Sequence, residues 1–99
     1  MPFALRFSPE ARAVIQSIER DRAYSDKLRK VRKVLALLEA NPRHGSLSSH
    51  RFESLGGPRG EVVWESYVEN RTRGAWRIWW WYGPEREQIT ILSIGPHPD

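Results

Sequence analysis

The run Ala75-Trp76-Arg77-Ile78-Trp79-Trp80-Trp81-Tyr82 restricts the fold more than any other stretch of this chain. Tryptophan, tyrosine and isoleucine favour extended backbone, so the run predicts a β-strand. Strand side chains alternate between faces. Trp76, Ile78, Trp80 and Tyr82 fall on one side and Arg77, Trp79 and Trp81 on the other. The first set reads as core. The second joins a fixed cation to flat aromatic surface, a combination suited to a phosphate beside an unstacked base. The competing assignment buries both faces and pairs Arg77 with a carboxylate.

Helical signals precede this strand. Phe3, Leu5 and Phe7 alternate with Ala4 and Arg6 as a short first strand. Ser8-Pro9-Glu10 then supplies an N-cap, a proline at the first helical position and an acid in the first turn. Ala11, Val14, Ile15 and Ile18 recur at helical spacing, as do Leu28, Val31, Val34, Leu35 and Leu38 after a short connector, with Asp26 as the expected cap of the second helix. Lys27, Arg29, Lys30, Arg32 and Lys33 occupy its polar side, a solvated face unless a partner covers it. Asn41-Pro42 ends it.

The second half alternates strands with turns. His50–Leu55 is a short strand, Gly56–Gly60 a turn and Glu61–Glu69 a strand. On that strand Val63, Glu65, Tyr67 and Glu69 share one face. Asn70–Gly74 turns into the Trp strand, and Gln88–Ile94 is the last strand before a tail of Gly95–Asp99. Short links imply an antiparallel meander. The fold class is therefore α+β: an N-terminal strand, a two-helix hairpin, then a three- to four-stranded antiparallel sheet. The hairpin covers one face and leaves the other for a ligand.

The 99 residues fit one domain, 1–99. Lys and Arg number 16 against 12 Asp and Glu, a net charge of +4 that favours anionic partners. No cysteine is present, so disulfides and thiolate chemistry are excluded. No apolar run resembles a signal peptide or a membrane span, which makes a cytoplasmic protein without membrane contact the expectation. His44, His50 and His97 are scattered, so neither a metal site nor a cofactor is expected.

This order of elements resembles the RelE/ParE superfamily of toxins from bacterial type II toxin–antitoxin pairs. The carriers are the helical hairpin ending in Asn41-Pro42, the Trp64-to-Val68 strand, Gly74-Ala75-Trp76-Arg77-Ile78-Trp79, and the closing Ile89-Thr90-Ile91-Leu92-Ser93-Ile94-Gly95-Pro96-His97. The resemblance covers nearly the whole chain and implies a RelE-like microbial ribonuclease-type fold. In the ribosome-dependent ribonuclease branch, an aromatic-Arg-aliphatic motif places its Arg on the scissile phosphate, and Arg77 matches it. In the YoeB-like subgroup a terminal His assists proton transfer, and His97 matches that. Glu53 is the first choice for base or orienter, with Glu65 and Glu69 as alternatives. Two departures stand out. Where RelE proper carries two lysines, this chain reads Trp64-Glu65-Ser66-Tyr67-Val68-Glu69, and Pro98 replaces the YoeB-like terminal Tyr.

The chemistry suits these residues. Cleaving RNA through its own 2′-OH requires a base, stabilisation of extra charge on phosphate, and an acid for the leaving oxygen. Arginine offers a permanent charge and a bidentate fork, and imidazole titrates near neutrality. Arg51, Arg71 and Arg73 are expected on the RNA backbone, and Trp79 and Trp81 against a base. The implied function is a metal-independent mRNA endoribonuclease acting at the ribosome and inhibited by an acidic antitoxin. The alternatives are a non-enzymatic, ParE-like inhibitor of DNA gyrase, or an inactive relative that acts as a binding module.

Overall fold

The computed structural model describes residues 2–97, so Pro98 and Asp99 of the expected tail lie outside the described residues. The chain runs β1 (Ala4–Phe7), α1 (Pro9–Glu19), α2 (Ser25–Ala40), β2 (His50–Gly56), β3 (Val62–Tyr67), β4 (Trp76–Tyr82) and β5 (Gln88–Pro96). The five strands form one sheet in the order β1-β5-β4-β3-β2. The expected strand, helical hairpin and antiparallel strands are all present. The first strand also joins the sheet, parallel to β5, with Leu5 opposite Ile89 and Phe7 opposite Ile91.

Ser8 starts α1 as the sequence indicates, and its Oγ accepts from the Ala11 amide at 3.0 Å. Asp26 does not cap α2. The helix begins one residue earlier with no side-chain cap, and Asp26 sits in the first turn, paired with Arg29 and Lys30. There a carboxylate still complements the helix dipole.

The helices pack on the face that carries Ile78, Trp80, Ile89, Ile91 and Ile94, joined by Val31, Val34, Leu38 and Ala11. The α2 stripe is turned slightly from expectation: Val34 is buried, whereas Leu28 and Leu35 are only partly covered. Trp64 stacks on Trp80 with centroids 6.2 Å apart. Trp80 Nε1 donates to Ser66 Oγ at 2.8 Å, and Ser66 Oγ meets Ser49 Oγ at 2.6 Å. The polar atom of the largest core side chain is thus satisfied, and the residue preceding β2 is tied to the sheet.

Two local departures from regular pairing redirect side chains. Trp79 is opposite Ser93 but Trp80 is opposite Ile91, so Leu92 is an extra residue in β5. A bulge of this kind reverses the alternation, and Ile91 and Ile94 consequently face the same helices. Ser8 Oγ donates to the Leu92 carbonyl at 2.8 Å, occupying a group that the bulge removes from the ladder. The second departure is at the end of β3, where the Val68 and Glu69 amides both donate to the Trp76 carbonyl at 3.1 Å. Glu69 then leaves the face it was expected to share with Glu65. It bonds instead to Lys27 and Lys30 of α2 at 2.7 and 3.3 Å.

Leu38 is fully buried, so Leu38→Ala is expected to cost about 2–5 kcal/mol of unfolding free energy, with Leu35→Ala costing less. Urea titration of both variants measures the ranking; a costlier Leu35 would contradict the helix rotation.

Candidate active site

The sheet face away from the helices is not an open aromatic platform. Val63, Trp79 and Trp81 form a second apolar cluster with Phe52 and Leu92. Both Trp79 and Trp81 are 5% exposed, so their rings have little face to offer a base. Gly83, with φ at +136°, lets the chain turn closely over Trp81: a Cβ there would come within 2.5 Å of the ring.

Beyond this cluster, at the end of the sheet where β3 finishes and β4 begins, lies a cavity of about 300 Å³. It is lined by His50, Glu65, Tyr67, Thr72, Arg73, Gly74, Ala75, Arg77 and His97. Strand pairing assembles it. His50 is opposite Glu65, Glu65 opposite Trp79, and Tyr67 opposite Arg77. The His97 amide donates to the Ala75 carbonyl at 2.9 Å, which holds His97 beside β4.

Glu65 is 1% exposed. Its Oε1 lies 2.6 Å from His50 Nε2 and its Oε2 3.4 Å from His97 Nε2. Both are close nitrogen–oxygen contacts, and Oε2 has no hydrogen-bond partner. Arg77 is buried with its guanidinium 3.8 Å above the centre of the Tyr67 ring. Nη1 donates to the backbone carbonyls of Glu69 and, at 3.1 Å, of Trp76. Among the described residues no carboxylate is ion-paired with Arg77, so the pairing considered from sequence does not occur. Its charge is held by two carbonyl dipoles and an aromatic face.

Three buried side-chain polar atoms among the described residues have no hydrogen-bond partner: Glu65 Oε2, Arg77 Nε and Trp79 Nε1. All three belong to neighbouring positions on this one face. Buried polar groups are nearly always bonded, so such a concentration marks a place where polarity serves something other than stability. The cavity combines an unpartnered acceptor, a cation without a counter-charge, and two imidazoles, the groups needed for proton transfer around an anion.

Of the residues read from sequence, Arg77, His97, Arg73 and the alternative base Glu65 line this cavity. Glu53 and Arg51 line a separate, smaller hollow of about 220 Å³ at the β2–β3 hairpin. Arg51 is opposite Trp64, a residue packed toward the helices. Arg71 is exposed in the β3–β4 loop with φ at +60°. His50 and Tyr67 were not singled out from sequence. They enter through long-range strand register, opposite Glu65 and Arg77, which local pattern does not carry. Among the described residues no group of three His, Asp or Glu side chains has a metal-holding arrangement, and no helix is long and apolar enough to cross a membrane.

No protein-family model and no curated protein matches this sequence. Solved structures do match. A YoeB/ParE toxin from Agrobacterium tumefaciens superposes with a TM-score of 0.70 at 11% identity, covering 97% of this chain and 100% of that one. The RelE–RelB complex of Pyrococcus horikoshii gives 0.65 at 15% identity over 97% and 96% of the two chains. The E. coli RelBE complex gives 0.62 at 12% identity over 98% and 99%. The fold is that of the RelE, YoeB and ParE toxins. Within this RelE-like fold the cavity lies where β3, β4 and His97 converge.

Arg77 depends on Glu69, whose carbonyl it bonds and whose side chain is anchored to α2. Burial acts to raise the Glu69 pKa, but hydrogen bonds from Lys27, the Trp76 amide and Lys30 outweigh it and hold the group below its usual 4.5. A lowered folded-state pKa gives stability that is present above the unfolded value and lost as pH falls through the folded one. The difference in unfolding free energy between the parent and Glu69→Gln should therefore be largest above pH 4.5 and shrink as the solution is acidified. Denaturant titrations across that range measure it; a gap that widened in acid would contradict the assignment.

Proposed function

We propose that this chain is the toxin of a type II toxin–antitoxin pair and that it cleaves mRNA at the ribosome without a metal ion. The observation that carries the reading is the meeting, in one cavity, of Glu65 Oε2 without a partner and Arg77 without a counter-charge. The RelE-like fold supports it. Glu65, rather than Glu53, takes the role of base here, because Glu65 shares the cavity with Arg77 and His97.

In the proposed reaction the 2′-OH gives its proton to Glu65 Oε2, and the 2′ oxygen forms a bond to phosphorus. The Arg77 guanidinium stabilises the added negative charge. The bond from phosphorus to the 5′ oxygen breaks as protonated His97 gives its Nε2 proton to that oxygen. One proton is taken and one returned. The products are a 2′,3′-cyclic phosphate and a 5′-OH. In this reading Arg73, exposed at the cavity rim, contacts the RNA backbone. A binder that only poisoned gyrase would not need this set of groups.

The partner in this reading is an acidic antitoxin. The net charge of +4 supports it, as do the RelE–RelB complexes among the similar structures. The basic face of α2 is less available than its composition suggests. Lys27 and Lys30 engage Glu69, Arg29 engages Asp26, and Arg32 engages Glu19. The two arginine pairs are exposed and weak enough to exchange for a partner's carboxylates.

Purified protein added to a translating reporter, with mapping of new 5′ ends, tests the reading. Arg77→Ala should abolish cleavage. Glu65→Gln and His97→Gln should each slow it by roughly 10²–10⁴-fold, the usual worth of general acid–base catalysis. Glu53→Gln should stay within a fewfold of the parent. Accumulated gyrase–DNA breaks with intact mRNA would replace this proposal with the gyrase reading.

A further inference from the structure

The two oxygens of Glu65 are not equivalent, and His50 makes the difference. The first of them, Oε1, lies 2.6 Å from His50 Nε2, whereas Oε2 is buried and unbonded. We propose that His50 is a positioning residue for the cleavage reaction: it donates from Nε2 to Oε1 and so presents Oε2 as the oxygen that takes the 2′-OH proton. This rests on the cleavage reading above and names the group that orients its base.

The imidazole is fixed from behind. Its Nδ1 lies 3.1 Å from the Ser48 carbonyl. A carbonyl oxygen only accepts, so Nδ1 carries a proton in that contact. Ser48 adopts φ 49, in the left-handed region that non-glycine residues seldom enter, which aims its carbonyl back at the ring. The neighbouring Ser49 is held by the chain of hydrogen bonds through Ser66 to Trp80. In the proposed arrangement the short Nε2–Oε1 contact is where the ring donates to the carboxylate. With Nε2 donating, Oε1 is engaged and Oε2 keeps its lone pairs free. Donation from a ring that is itself anchored also stops the carboxylate from rotating its two oxygens.

His50 has a second contact, an edge-on packing against Tyr67 with centroids 5.8 Å apart, and Tyr67 carries the Arg77 guanidinium. The ring is therefore able to act either by donating a hydrogen bond or by bracing Tyr67. Two substitutions separate these. His50→Phe keeps a ring against Tyr67 and removes both nitrogens. His50→Gln removes the ring and keeps an N–H within reach of Oε1. The His50 side chain is 47% exposed, so both variants should fold, which circular dichroism and the melting temperature verify.

RNA cleavage by the purified parent and both variants, fitted for kcat and KM, is the test. The Phe variant should lose about 10²-fold in kcat, the size expected when a reacting group is misplaced by about 1 Å, with KM nearly unchanged. The Gln variant should recover most of that loss. A Phe variant as fast as the parent, or a Gln variant as slow as Phe, overturns the proposal, because His50 would then have no role or would act through its ring alone. A parent that cuts no RNA removes the cleavage reading and this role together. A parent that cuts RNA beside an equally active Phe variant removes only the role of His50.

Discussion

Strand β4 is covered on both faces, and the arrangement of everything around it follows from that constraint. Ile78 and Trp80 belong to the core under the helices, while Trp79 and Trp81 belong to the smaller cluster on the far side. A strand this apolar is unstable beside water, so the helical hairpin must cover one face and the β2–β3 hairpin, through Phe52 and Val63, must contribute to covering the other. The Leu92 bulge lets β5 serve both clusters: Leu92 goes to the far side, and Ile91 and Ile94 stay under the helices. Arg77 is the one buried residue of β4 that neither cluster absorbs. Its charge falls just past the end of the far cluster, where the sheet face opens.

That position explains why the polar groups of the candidate site are buried. A carboxylate at 1% exposure with an unbonded oxygen, close to a cation without a counter-charge, is costly for folding. The surrounding bonds restrict both groups. His50 and His97 stand on either side of Glu65; Tyr67 and two carbonyls hold Arg77; and Glu69, tied to α2, links that cluster to the helical layer. The helices thus act on the site through Glu69, although none of their residues lines the cavity.

Local pattern carried much of this in the sequence. The periodicity of α1 and α2, the Ser8-Pro9-Glu10 start and the alternation of the Trp strand each depend on residues a few positions apart, and all appear in the fold. What local pattern could not show was long-range register. Between Arg51 and Gly56 the β2–β3 pairing shifts, so no count from the hairpin turn would bring His50 opposite Glu65. The same limit applies to the bulge at Val68–Glu69, which removes Glu69 from the face that strict alternation assigned to it. Composition could not reveal that Trp79 and Trp81 pack with Val63, Phe52 and Leu92, and that Gly83 turns over Trp81, rather than both rings facing solvent. Arg77 and His97, which line the cavity, stand out in the sequence because the motifs that carry them are contiguous. Glu53 was favoured by motif alignment, yet the structure puts it in another hollow.

The central claim is that the Glu65–Arg77 cavity acts on a phosphodiester with a neighbouring 2′-OH. A single 2′-deoxy substitution at the mapped cleavage nucleotide of a ribosome-bound mRNA tests it most directly. The account predicts that cutting stops at that position, because no proton is then available to Glu65 and no nucleophile to phosphorus, while the unmodified message yields 2′,3′-cyclic phosphate ends. Cleavage of the deoxy-substituted message at an undiminished rate would contradict it.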